Sequence, residues 1–84
     1  LYIACQFGFT EIVQILLTHK LIDVNISHYG LNQTPFYTAC YYNRLEIVRI
    51  LLSDPRVDLN RPNYRKQSPF YIACSDQNFV LIQL

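Results

Sequence analysis

A five-residue block returns twice in this chain, and the interval limits what the chain can fold into. Leu1-Tyr-Ile-Ala-Cys5 recurs as Phe36-Tyr-Thr-Ala-Cys40 and as Phe70-Tyr-Ile-Ala-Cys74, offsets of 35 and 34 residues. Laid without gaps over Phe36 to Asn60, the segment Leu1 to Asn25 keeps eleven of its twenty-five residues. A period of this size marks a repeated supersecondary unit that cannot close a core alone and buries its apolar side by stacking on its neighbours. With 84 residues there is room for one such stack and not for two independent domains.

Within a unit the pattern is two short helices and a long polar connection. Thr34-Pro35 opens the first helix, which runs to about Tyr42. Thr supplies the N-cap oxygen, and Pro sits in the first turn, where its missing N–H is no loss. Leu45 to Ser53 sets Ile47, Val48, Ile50, Leu51 and Leu52 on a broad apolar stripe opposite Glu46 and Arg49, a second helix that Pro55 ends. A tight Asn43-Arg44 turn makes the pair antiparallel. Asp54 to Ser68, rich in Asn, Pro and Arg, is too long for an ordinary helix connector and suits an extended, turn-centred loop; His19 to Thr34 is its equivalent.

These blocks resemble the ankyrin repeat. Its Thr-Pro-Leu-His-x-Ala-Ala, Gly turn, Leu-Glu-Ile-Val-x-x-Leu-Leu and closing Asp-Val-Asn are similar to Thr34-Pro-Phe-Tyr-Thr-Ala-Cys40, Asn43, Leu45-Glu-Ile-Val-Arg-Ile-Leu-Leu52 and Asp58-Leu-Asn60. The tetratricopeptide repeat shares the period but has neither the Thr-Pro start nor the Asn-rich connection. The resemblance implies an all-α solenoid of antiparallel helix pairs linked by β-hairpin loops, about 2.5 repeats with truncated ends. The expected units are a partial repeat over 1–25, a full repeat over 26–60, and a partial repeat over 61–84. The inter-repeat core expected on this basis is Ile12, Val13, Leu16, Leu17, Ala39, Ile47, Val48, Leu51, Leu52, Ala73, Leu81 and Ile82. Leu1 to Ile3 and Phe79 to Leu84 then form raw apolar ends. The chain reads as an excerpt of a longer array with further ankyrin repeats on both sides, marginally stable by itself.

Departures from the family pattern fall at definite places. Extra residues lie around Ser53 to Arg56 and around Tyr29 to Leu31, both loop sites where insertion costs little. Tyr2, Tyr37 and Tyr71 stand where the family has His, so that residue's hydrogen bond does not carry over, and stacked tyrosines are one replacement. The hairpin Gly becomes Asn32, which tolerates a left-handed backbone, and Lys66, which tolerates it less well. In the last unit Gln77 takes the Gly turn and Val80 replaces Glu, which marks a degenerate unit or one near an array edge.

Little here points to chemistry. Cys5, Cys40 and Cys74 fill one small-residue slot in successive units, at about the 8–10 Å spacing of packed helices, too far apart for a disulfide or a shared zinc ion. They read as buried filler, and unpaired cysteines fit a reducing compartment, hence an intracellular location in cytoplasm or nucleus. Asp23 and Asp58, like Asn25 and Asn60, repeat with the period and are structural positions. By the resemblance, the Asp-x-Asn end stabilises the loop and ties it to its neighbour. His19 and His28 have no counterparts and read as solvated. No nucleophile stands beside a base, no carboxylates converge, and Gly8 and Gly30 are too few for a phosphate loop. The expectation is therefore no enzyme, no cofactor and no metal. A net charge of +1 and the lack of a long apolar run argue against nucleic acid and membrane as partners.

What remains is a surface for another protein. The resemblance puts binding residues at loop tips and just after the small-residue slot. Here those are Phe7, Tyr41, Tyr42 and Asp76, with Tyr29, Leu31 and Gln33 on one tip and Tyr64, Arg65 and Gln67 on the next. Tyr and Arg are the residue types enriched at binding hot spots. Residues 44–66 also hold Arg44, Arg49, Arg56, Arg61, Arg65 and Lys66 against Glu46, Asp54 and Asp58, a run read as a solvated loop in preference to an acidic or RNA contact. The implied function is a non-catalytic scaffold that binds a protein partner through the concave face of an ankyrin array. The alternative is a structural spacer, or a cis-docking regulatory segment of a larger multidomain protein.

Overall fold

The computed structural model describes residues 1–27, 30 and 32–75, without the side chains of 73–75. Its elements are all helical: α1 (Tyr2–Phe7), α2 (Thr10–Leu17), α3 (Pro35–Tyr41), α4 (Leu45–Leu52) and α5 (Pro69–Ser75). No strand occurs among the described residues. Helices α1 and α3 pack side by side, as do α3 and α5, while α2 and α4 form a second layer against them.

Each helix start follows from local chemistry. The Thr34 hydroxyl accepts the Tyr37 N–H at 3.1 Å with Pro35 next in the chain, and Ser68 caps α5 in the same way through the Tyr71 N–H at 3.0 Å. Between α3 and α4 the chain turns through Asn43, whose φ of 59° is left-handed, and the Arg44 N–H closes the turn onto the Ala39 carbonyl at 2.9 Å. Gly8 holds the equivalent turn between α1 and α2 at φ 77°. Arg44 lies across it, and a Cβ there would sit 3.3 Å from the arginine Cδ and Nε. The third unit's turn, at Gln77, and its Val80 lie outside the described residues.

Helix α3 is the most buried element, because α1, α5 and α4 cover it on three sides; every residue from Pro35 to Cys40 is out of solvent. Around it lie Ala4, Cys5, Val13, Val24, Ile47, Val48, Leu51 and Val57. The expected core is correct at Val13, Ala39, Ile47, Val48 and Leu51, with Leu16 and Leu17 packed against it, and needs correction at Ile12 and Leu52. Ile12 and Leu52 are exposed and Leu16 and Leu17 only half-buried, while Phe36, Tyr37 and Val24 are buried without having been assigned there. Leu81 and Ile82, and the Ala73 side chain, lie outside the described residues. Burial pushes the Cys5 and Cys40 thiols up to about 12, so both remain neutral at physiological pH, as small buried hydrophobes do.

One buried group is misfitted. Thr38 occupies the slot filled by Ile3 and Ile72 in the other two repeats of the block, and its hydroxyl is buried with no hydrogen-bond partner among the described residues. Thr38→Val keeps the shape and removes the desolvated hydroxyl, so it is expected to stabilise the fold by about 1 kcal/mol, read as a rise in the urea midpoint.

The long loops are tied to one another through polar side chains. Asp23 accepts the Asn25 N–H at 3.0 Å, and Asp58 accepts the Asn60 N–H at the same distance, two equal turns one repeat apart. Asn25 then bridges forward, donating to the Arg56 carbonyl at 2.8 Å and accepting the Asp58 N–H at 2.7 Å. The link expected of the Asp-x-Asn end is thus formed by the amide of Asn25, which matches both a donor and an acceptor on the next loop.

Three arginines make the same connection in the other direction. Arg44 donates to the Gln6 carbonyl at 3.0 Å and Arg61 to the Asn25 carbonyl at 3.0 Å. Arg56 donates to the Leu17 and His19 carbonyls at 2.8 and 3.1 Å, just beyond the end of α2, where a cation also suits the helix dipole. Asp54 holds that guanidinium through two oxygens, at 3.0 and 2.6 Å, and these bonds lower the carboxyl's own pKa. The loop arginines of this charge run are exposed, and half of the run's basic residues also bind main-chain oxygens 36–39 positions earlier in the chain, a role the sequence did not indicate.

Candidate interaction surface

The second long loop closes around one asparagine. The Asn63 N–H donates to the Gln67 carbonyl and the Lys66 N–H to the Asn63 carbonyl, both at 2.9 Å, so the loop reverses as a β-turn. The side chain of Asn63 templates that turn from inside. Its Oδ1 accepts the N–H groups of Arg65 and Gln67 at 2.9 Å each, and its Nδ2 donates to the Gln67 Oε1 at 3.1 Å and to the Tyr37 hydroxyl at 2.8 Å. Asn63 is only 5% exposed, so these bonds form away from competing water.

Reversal demands a left-handed residue at the turn's end, and that residue is Lys66, at φ 64°. Asn32, its counterpart, has φ 54°, as its place in the family pattern predicted. A left-handed lysine costs energy that glycine avoids. Lys66→Gly is expected to stabilise the fold by about 1 kcal/mol, measured by urea denaturation; an unchanged or lower midpoint contradicts the strain.

From this turn a line of side chains runs into the helical layer. Tyr37 is buried, and its ring stacks on Tyr41 with centroids 6.4 Å apart. Tyr41 meets Tyr42 edge-on at 5.0 Å, and the Tyr42 hydroxyl accepts a long bond of 3.5 Å from the Gln6 amide. Tyr41 is 49% exposed and Tyr42 41%, each with one side held and the other open. Phe7 is also exposed and stacks on Phe9 at 6.0 Å. At the turn itself Tyr64 points into solvent with Arg65 over its ring at 5.3 Å and the arginine Nε donating to its hydroxyl at 2.8 Å.

The residues expected at a binding surface therefore divide. Phe7, Tyr41, Tyr42, Tyr64 and Arg65 are solvent-facing. Gln67 is half-buried and spent on the turn, and Gln33 is half-buried and accepts the Tyr2 hydroxyl at 3.3 Å. Tyr29, Leu31 and Asp76 lie outside the described residues. Tyr37 and Asn63, which connect the turn to Tyr41, were missed, as was Phe9, which stacks on Phe7. Asn63 carried a signal, since an asparagine at the start of a turn commonly accepts the main-chain N–H two residues on.

A family model for ankyrin repeats (3 copies) matches residues 1–63. The chain belongs to the ankyrin repeat family. No curated protein matches it in a sequence search. Ankyrin repeats are in general protein–protein interaction modules and generally non-catalytic. In this ankyrin chain the two tyrosines that follow the Ala39-Cys40 slot are open to solvent, and the loop tip that follows is a turn closed by the hydrogen bonds of Asn63. No group of three or more His, Cys, Asp or Glu placed to hold a metal ion occurs among the described residues. No helix among them is long and apolar enough to cross a membrane.

Proposed function

We propose that this chain recognises a protein partner through the concave face of an ankyrin array, with Tyr41 and Tyr42 as its anchors and Phe7, Tyr64 and Arg65 beside them. The observation that carries this is the T-shaped tyrosine pair, half exposed yet held in place by Tyr37 and Gln6. Aromatic side chains fixed before binding lose little conformational freedom on contact, which makes them efficient anchors. On this reading Tyr29, Leu31 and Asp76 extend the same face, Gln33 and Gln67 support its loops, and further ankyrin repeats continue the stack on both sides in a reducing, intracellular setting.

The test is affinity capture with the chain and with a Tyr41→Ala, Tyr42→Ala double variant matched for stability, followed by titration of the captured protein. Loss of at least about 2 kcal/mol of binding free energy is expected. Equal capture by both forms would make the tyrosines packing residues and favour the spacer or cis-docking role.

A further inference from the structure

The basic residues at the turn differ from the three arginines that tie the loops together. Arg44, Arg56 and Arg61 are committed to carbonyl oxygens of the preceding helix pair and its loop. Arg65 and Lys66 have no carboxylate partner among the described residues. From Leu59 to Ser75 the chain has no Asp or Glu, so no acidic residue adjoins the tip in the sequence. Arg65 is also oriented. Its Nε is used on the Tyr64 hydroxyl, which leaves the two Nη groups, the fork that pairs with a carboxylate, for an outside acceptor. Beside it Lys66 occupies a left-handed position that a glycine would fill without strain, so the chain carries an ammonium group here at a cost in stability.

An oriented guanidinium, a strained lysine and an exposed aromatic ring on one rigid turn are complementary to carboxylates with an apolar group among them. We propose that the Tyr64–Lys66 tip docks an acidic segment of the partner protein, its carboxylates on Arg65 and Lys66 and an apolar side chain against Tyr64. This rests on the proposed partner-binding role of the tyrosine face and gives that partner its chemistry. The tip is joined to that face through the Asn63 bond to Tyr37 and the stack of Tyr37 on Tyr41, so both contacts share one rigid support.

The test is fluorescence anisotropy with the whole chain and three labelled probes: a short Glu- and Asp-rich peptide with one central Phe, its Gln and Asn isostere, and an oligouridylate. The acidic peptide is expected to bind saturably, at least about tenfold tighter than the isostere, and to weaken as salt is raised. Arg65→Gln with Lys66→Gly is expected to weaken it at least about tenfold, and Lys66→Gly alone several-fold even though its fold is more stable, which separates lost charge from lost structure. Equal binding of peptide and isostere, no saturation up to about 1 mM, or unchanged binding by the double variant overturns the proposal. So does binding of the oligouridylate in place of the peptide, which assigns the tip to phosphate. If a captured partner is lost by the Tyr41→Ala, Tyr42→Ala form but kept by the Arg65→Gln, Lys66→Gly form, the tyrosine face stands and the acidic-segment proposal fails.

Discussion

Asn63→Ala is expected to destabilise the fold by about 3 kcal/mol, far more than a loop substitution ordinarily does. The reason is the number of groups that one buried amide satisfies: two main-chain N–H groups of its own turn, the Gln67 side chain and the Tyr37 hydroxyl. Removing it leaves the hydroxyl buried without that donor and lets the turn open to water. Two further variants separate these contributions. Tyr37→Phe deletes only the hydroxyl and is expected to cost about 1 kcal/mol. Asn63→Asp keeps the acceptor for the turn N–H groups and loses the amide donor, so its urea midpoint is expected between those of wild type and Asn63→Ala. An Asn63→Ala form within about 1 kcal/mol of wild type would mean the turn holds without its template.

The second large effect compares two isoleucines at one repeat position. Ile12 and Ile47 are 35 residues apart, each the third residue of its outer helix, in the shared run Glu-Ile-Val. Ile47 is 1% exposed and Ile12 48%. Ile47→Ala is expected to cost about 3–4 kcal/mol, from lost transfer free energy and the cavity left behind, and Ile12→Ala about 1 kcal/mol. Urea titrations of the two variants decide it. Equal costs would mean that Ile12 is covered in solution and that the face it occupies has an occupant.

The candidate surface was legible in part. Phe7, Tyr41 and Tyr42 could be placed because they follow a small-residue slot whose burial is a property of the repeat, and the end of a short helix must then leave solvent-facing positions. Gln33 and Gln67 were assigned to the tips with the same reasoning, yet both serve hydrogen bonds at half-buried sites, because a glutamine in a tight loop can satisfy groups of its own loop or of a neighbouring helix. The role of Asn63 toward Tyr37 spans 26 residues and has no local signature.

What the sequence determined by itself is whatever depends on neighbours in the chain. The period, the Thr34-Pro35 cap, the limits of α4, and the left-handed backbone at Asn32 all follow from a few adjacent residues and their conformational preferences. Only the tertiary structure decided which of two identical positions is buried, and which of six nearby basic side chains are spent on carbonyls and which are open. Burial and hydrogen-bond partnership depend on what the adjoining helix pair covers and presents, and two copies of one motif with unlike neighbours are physically different sites.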